Sequence, residues 1–520
     1  MGFVSACSSS VRNSAAVDTN AGAQTATPAP TPPTPPAQSQ AASTYDTSIG
    51  AGVDANGFAD LPLRSGAHRY FVNSSAGSDN NSCASAQSAA TPKASLASAV
   101  GCIAQGNGDQ VLVAEGRTYA ERLPVLYQKD GNSLLYPTVI ESYDPADPLN
   151  EAKYGRATSG RPVFTGSNSN GSPFMINTPA QSFIAVRGLD INPGNITGQS
   201  LGMVDVGSGI LFENNILRYT GLAFVINASP RAQHWIVRNN AIYGTWDDTT
   251  ATAGHGIYAD GCDTLTIEDN VFWHNGWKVG ANRDDTLANG GASMFRHPVY
   301  QQTTTDAIFR RNLVADGAGD GGSFRGNATV TENLSIDNPI AYAVGASPHN
   351  DRPAGVDLTV AYNAAIGAAP IVSSLPRGWA IWSQNGRPGS SAHHNLFVQN
   401  IDPTNGGAYH TTEDFGQPSY MDYHDNVTYL WNSAGSTIQH PALDPSLVHD
   451  TFQNNIWDDL ASGMNTNIAS HAFPNPYTAA QLYAALGYSS KQAFINYAIA
   501  HPEAHIQRSA RAMLFAGYGL

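Results

Sequence analysis

Charge is what this 520-residue sequence most lacks: 13% of its residues are Asp, Glu, Lys or Arg, with 26 basic against 41 acidic and a formal net charge of −15. So few cations exclude a nucleic-acid binder, which needs a basic face. Long apolar runs are missing too. Nothing approaches the ~18 consecutive apolar residues of a membrane-spanning helix. Cysteine is scarce, at four residues. Cys83 and Cys102 close the short loop "CASAQSAATPKASLASAVGC" and read as a disulfide in an exported chain. Cys262, on a strand-like stretch, is expected as a small buried apolar residue. What the chain has instead is 50 glycines and many Asn, Ser and Thr residues, a composition for short strands joined by tight turns.

The first residues read as an export signal with its front removed. In "FVSACSSS", Cys7 follows Val-Ser-Ala, which resembles the lipobox before the lipidated cysteine of bacterial lipoproteins. An Ala/Thr/Pro/Ser-rich stretch continues to about Thr44 and reads as a semi-extended tether without a core. The expected location is therefore outside the cytoplasm: an outer-membrane lipoprotein, or a periplasmic or extracellular protein, touching membrane only through an anchor at Cys7. Four regions follow: tether 1–45, N-terminal segment and cap 46–107, repeat domain 108–470 and helical C-terminal cap 471–520.

The repeat sets the architecture. Two or three strand residues, a polar residue, Asn and an apolar pair recur as "LFENNIL", "IVRNNAI", "TIEDNVF", "IFRRNLV", "TVTENLS", "TVAYNAA", "SAHHNLF", "DYHDNVT" and "TFQNNIW". The asparagines are Asn215, Asn240, Asn270, Asn312, Asn333, Asn363, Asn395, Asn426 and Asn455, spaced 25, 30, 42, 21, 30, 32, 31 and 29 residues apart. A drifting period near 30 without helical periodicity suits one coil of a three-sheet solenoid. Each asparagine is expected to turn a corner in the left-handed region and to stack as a hydrogen-bonded ladder. All nine read as structural.

At this point the chain resembles the right-handed parallel β-helix proteins of the pectate-lyase-like superfamily. "YFVNSSAGSDNNSC" from Tyr70 is similar to their opening strand, and "GDQVLVAEGRTYAE" from Gly108 to a first complete coil. The resemblance implies an all-β solenoid over roughly residues 68–470. From Tyr477, "TAAQLYAALGYSSKQAFINYAIAHPEA" turns helical and is expected to cover the open end.

The strand after each long loop aligns from coil to coil. Val225, Ile257, Val299, Phe324, Val344 and Ile381 form the expected inward column, since alternate strand residues face opposite ways. The outward column is then Ile226, Tyr258, Tyr300, Arg325, Gly345 and Trp382. His255 and His297 lie outward two residues before the core position, and Asp260, Gln302, Asn327 and Gln384 two after the outward column. The 42-residue spacing inserts "HNGWKVGANRDDTLANGG" before the "RHPVY" strand, where a long loop overhangs a rigid floor. Six Lys or Arg residues fall between Lys278 and Arg325.

The resemblance implies an exported, monomeric enzyme acting on an acidic, uronate-containing polysaccharide or oligosaccharide. For β-elimination, Arg325 would neutralise the carboxylate, His297 would take the proton and Tyr300 would serve the leaving oxygen. His255, Tyr258, Lys278, Arg283, Arg296, Gln302 and Trp382 are the expected substrate contacts. "GHGI" at Gly254–Ile257 also resembles the Gly-His-Gly motif of polygalacturonase-type hydrolases, whose acids would come from Asp260, Asp284, Asp285 or Asp320. A non-catalytic polysaccharide binder predicts the same ledge. No cofactor is required, although Asp284 and Asp285 would be the ligands if calcium is used as in some related lyases.

Overall fold

A computed structural model describes residues 53, 57–126, 128–166, 175–194, 200–206, 208–225, 233–248, 254–346, 355–375, 377–399, 409–412, 419–431, 449–457, 466–467 and 472–520. The Cys7 motif, the tether and Ile226 lie outside these residues. Strands stack in three parallel sheets, with 13, 13 and 9 described strands. Sheet one runs from Arg69–Val72 to Thr451–Gln453, sheet two from Thr118–Tyr119 to Thr466–Asn467, and sheet three from Met175–Gln181 to Tyr409–Thr412. Each coil visits the sheets in that order, so the domain is a parallel β-helix. Its interior is filled by columns such as Phe212, Val237, Ile267, Phe309, Val330 and Val360, each paired with the next coil.

The corner between sheets one and two carries the asparagine ladder. The backbone N–H and Nδ2 of each asparagine donate to Oδ1 of the next, at 2.8–3.0 Å from Asn215 through Asn455. The second Nδ2 hydrogen donates to a carbonyl of the preceding coil, as from Asn333 to Phe309 and from Asn363 to Val330. The expected ladder is therefore present, but its left-handed residue is misplaced by one. Asn214, Asn239, Asp269, Arg311, Glu332, Tyr362, His394, Asp425 and Asn454 hold φ of 54–59°, one position before each ladder asparagine. The turn comes first, and the asparagine then points inward where its amide bonds are protected.

Just before that turn, residues at the ends of the sheet-one strands alternate in charge: Glu141, Arg187, Glu213, Arg238, Glu268 and Arg310 pair in register. Arg238 Nε donates to Glu213 at 2.6 Å, with both side chains fully buried. The N-terminal segment covers part of this face: Ala59 and Leu61 pack on Val139, Ala185, Leu211 and Ile236, and the Ala59 N–H donates to Glu213.

Helices Ala479–Ala485, Lys491–Ala500 and Ile506–Gly517 do not close the end of the solenoid as expected. They lie along the outer face of sheet two, where Leu482, Phe494, Ile495, Leu514 and Phe515 join Ala241, Val271, Leu313, Leu334 and Ala364 in one apolar cluster. Sheet two alternates apolar residues outward as well as inward, and the helices supply the partner for that second apolar face. At the N-terminal end, the helix Leu96–Val100 plugs the core with Leu96, Ala99 and Val100, and Cys83 and Cys102 are joined beside it. Cys262 is free and buried. Among the described residues no helix is long and apolar enough to cross a membrane.

The corner makes a direct prediction. Asn333→Ala strips partners from Asn312, Asn363 and the Phe309 carbonyl, and stability should fall by about 3 kcal/mol or more, at 1–3 kcal/mol per orphaned buried group. Glu332→Gly, one residue earlier and exposed at the left-handed position, should be near neutral in the same thermal melts because glycine adopts that φ freely. The opposite ranking would restore the asparagine to the turn.

Candidate active site

With sheet one partly covered by the N-terminal segment and sheet two by the helices, sheet three presents its outer face with no packed apolar cluster over it among the described residues. Its register differs from the expected one. Ile257 and Val299 do stack inward, on Leu222 rather than Val225. Phe324 pairs with Gln301, and Val344 with Phe324, so neither stacks over Val299. They remain buried, so the inward assignment holds while their coil alignment shifts by two. Tyr342 takes the position above Gly322 and below Ile381.

The outward row therefore reads Tyr258, Tyr300, Ser323, Ala343 and Trp382. Two small residues separate aromatic walls three coil steps apart, roughly 14 Å at ~4.8 Å per step. Arg325 leaves this row and joins Asp260, Gln302, Gly345 and Gln384, the place expected for Asn327. Its guanidinium nevertheless reaches across the row: it lies 4.8 Å over the Trp382 ring, and its charge works against the burial that raises the Tyr300 phenol.

Four rings stack beside the gap. The centroid separations are 5.5 Å for His255–His297, 5.3 Å for His297–Tyr300, 5.5 Å for His255–Tyr300 and 5.7 Å for Tyr258–Tyr300. The Tyr258 hydroxyl donates to Gln302 at 3.2 Å. The histidines are not solvent-facing as expected; they are 7% and 5% exposed, and Arg325 is 7%. Strand alternation sets direction only, and here the neighbouring loops fold over the outward side chains.

Those loops also fix the imidazole protons. The Asp320 N–H donates to His297 Nδ1 at 3.2 Å, and the His297 N–H donates to His255 Nδ1 at 3.1 Å. A backbone N–H can only donate, so each neutral ring accepts at Nδ1 and carries its proton on Nε2. Burial, then the neighbouring His255 and Arg325 charges, hold His297 well below the usual imidazole value, so the ring is neutral. His297 is thus a donor at Nε2 in its resting state, not the proton acceptor the sequence suggests.

Asp320 belongs to the site by a feature that alignment of strands does not capture. Its Oδ2 lies 3.5 Å from His297 Nδ1. Burial pushes its carboxyl up to about 7, against the pull of Arg325 and of Arg377. Arg377, which the sequence reading passed over, stacks 4.8 Å over Trp379. The signal for Asp320 is its glycine flanks. A Cβ on Gly319 would sit 2.8 Å from the Met294 carbonyl and 3.1 Å from His297 Nδ1, so only glycine lets this loop pass under the histidine.

Most residues of the inserted loop are structural. Arg296 is wholly buried and donates to the carbonyls of Gly276, Gly291 and Asp247. Arg283 donates to Gly317 and Pro370 carbonyls and stacks on Trp277. The Lys278 ammonium sits over Trp246 at 4.7 Å. Of the six cations between Lys278 and Arg325, Arg310 and Arg311 turn to Glu268 and Asp269 on sheet one, and only Arg325 is placed at the aromatic row. Asp284 accepts from Ser373, and Asp285 from the Asn282 N–H of its own loop. Asp260 accepts from the Thr303 hydroxyl. A separate cavity of about 520 Å³ lies between sheet two and the helices, but its Arg218–Asp190 pair is mutually satisfied and it holds no stacked titratable groups.

A family model described as "Right handed beta helix region" matches residues 187–359, which agrees with the resemblance at the level of fold. Among solved structures, an alginate lyase from Paenibacillus sp. str. FPU-7 is 17% identical over 60% of this chain and 97% of its own, with a TM-score of 0.38. Pectate lyase Pel9A is 16% identical over 62% of this chain and 79% of its own, with a TM-score of 0.38. A lacto-N-biosidase from Eubacterium ramulus is 12% identical over 75% of this chain and 63% of its own, with a TM-score of 0.36. No curated protein sequence matches the chain.

The raised Asp320 carboxyl has a measurable consequence. A carboxylic acid whose folded pKa exceeds its unfolded value binds its proton in the native state alone between the two values, so stability falls as pH rises from about 4 to about 7. In Asp320→Asn that slope should flatten, and the variant should gain on wild type in melting temperature across this window. Parallel curves would place an ordinary, ionised carboxylate at position 320.

Proposed function

We propose that the protein is an exported enzyme that cleaves an acidic polysaccharide by β-elimination at the outer face of sheet three. One observation carries this reading: the Arg325 guanidinium lies over the Trp382 ring and its charge acts on the Tyr300 phenol, so that it bridges two aromatic residues across the buried Ser323 and Ala343. A sugar ring would pack against the aromatic faces of Tyr300 and Trp382, while the guanidinium between them offers the bidentate fork that suits a carboxylate. In a protein so poor in cations, Arg325 is well placed to select an acidic sugar. The Cys83–Cys102 disulfide supports an oxidising, exported setting.

The chemistry follows from the proton positions. Arg325 and the Nε2–H of His297 neutralise the uronate carboxylate, which acidifies the adjacent C–H. Tyr300 is the proton-transfer group: burial raises its phenol while the Arg325 charge opposes that rise. As phenolate it takes the proton, the C–O bond to the leaving sugar breaks, a carbon–carbon double bond forms, and the phenol returns the proton to the leaving oxygen. His255 and Tyr258 extend the surface one coil away as a neighbouring subsite. Asp320, behind His297, orients the ring.

A hydrolase reading rests on a different observation, the carboxyl of Asp320 held up to about 7, where a general acid works. Its partner would be Asp260. The two readings separate by product. With a panel of acidic polysaccharides, the account expects ultraviolet-absorbing unsaturated ends, a turnover loss of roughly 10²–10⁴ in Tyr300→Phe, and loss of both affinity and turnover in Arg325→Ala. Turnover should climb with pH as the phenol ionises. A saturated product with a new reducing end would transfer the chemistry to the aspartates. Binding without either product would leave a polysaccharide-binding protein.

A further inference from the structure

The charge-alternating column of sheet one changes character toward the far end of the helix. After Arg310 it continues in register through Thr331 and Ala361 to His393 and then His424. The left-handed corner column beside it reads Tyr362, His394 and Asp425 at the same coils. Two successive corners, "HHN" and "HDN", therefore stack into a square of three imidazoles and a carboxylate. His393 lies over His424 at 4.9 Å between ring centroids, and His393 and His394 approach at 3.0 Å between Nδ1 atoms. His424 Nδ1 is 2.7 Å from Asp425 Oδ2, and Tyr362 backs the His394 ring at 5.0 Å. One donor atom from each of His394, His424 and Asp425 lies within 4.8 Å of the others, and all three side chains are partly exposed. Among the described residues this is the one group of three or more such side chains so convergent. It stands on the sheet-one corner, away from the aromatic row of sheet three.

We propose that His394, His424 and Asp425 bind a divalent transition-metal ion of the zinc class, bridging two consecutive coils. Two imidazole nitrogens and one carboxylate oxygen form a donor set suited to Zn²⁺, Ni²⁺ or Cu²⁺ rather than to Ca²⁺ or Mg²⁺, which take oxygen ligands. The ladder asparagines Asn395 and Asn426 hold the adjoining backbone in place, so the ligands come from a rigid corner rather than from mobile loops. His393 lies beside this group but does not converge with it. An ion shared between coils ties the turn at His394 to the turn at Asp425, and it stabilises that end of the solenoid by binding the folded state alone.

The test uses the full chain without a histidine tag, stripped with chelator, desalted and titrated with Zn²⁺ by calorimetry and metal analysis. The account expects about one ion per chain, a melting temperature raised by Zn²⁺, and no response to Ca²⁺ or Mg²⁺. His394→Ala and His424→Ala should each weaken binding by more than the roughly 10–100-fold that loss of an outer-shell partner costs. If either alanine variant melts abnormally without metal, Asp425→Asn and the visible spectrum of bound Co²⁺, which reports nitrogen and oxygen ligation directly, take its place. No binding by wild type, or binding that survives both histidine substitutions unchanged, would overturn the site.

Discussion

Everything in this molecule depends on the amide-to-amide bonding of one buried asparagine per coil. Each side chain accepts two hydrogen bonds from the asparagine before it and donates two more, to the asparagine after it and to a carbonyl of the preceding coil. This arrangement leaves no amide valence unused. A coil that failed to return to the same corner would leave buried donors orphaned on both neighbours, at a cost of kilocalories per coil. Length variation is therefore kept away from the corner between sheets one and two and falls in the loops that lead into and out of sheet three. The 42-residue spacing from Asn270 to Asn312 sits there, and so does the site.

That division explains what could be read from the sequence. The corner is written plainly, because the same polar–Asn–apolar pattern recurs at each coil from Asn215 to Asn455 whatever lies between. Even there the pattern could not say which of two adjacent residues turns the chain, since arginine, glutamate, tyrosine and histidine all occupy the left-handed position. Sheet three is harder to read. Its strands are as short as Ser323–Phe324, and they are approached through loops of unequal length, so nothing in the chain pins their register. Phe324 satisfies either alignment as an apolar residue, and the two-residue slip carries Arg325 into the next row without breaking alternation. Exposure was equally illegible. His297 points outward yet is buried, because the glycine-flanked loop at Asp320 folds against it.

Charge follows the same logic at larger scale. The chain spends many of its few cations on itself: Arg187, Arg238, Arg310 and Arg311 neutralise buried acids along sheet one. Their nearness in sequence to the loop before Val299 does not become nearness in space, since a third of a coil separates one sheet from the next. Arg325 and Arg377 lie near sheet three, beside a carboxyl that burial keeps up to about 7 and the His297 imidazole that burial keeps neutral.

The most direct measurement is a crystal structure of the Tyr300→Phe protein with a bound acidic oligosaccharide. The account predicts a sugar ring against the Arg325 guanidinium, beside the ring at position 300 and Trp382. Its carboxylate should engage Arg325 and the Nε2–H of His297, with the neighbouring sugar against Tyr258 and His255. An oligosaccharide seated elsewhere, such as the cavity beside Arg218 and the C-terminal helices, would contradict the assignment of sheet three as the working face.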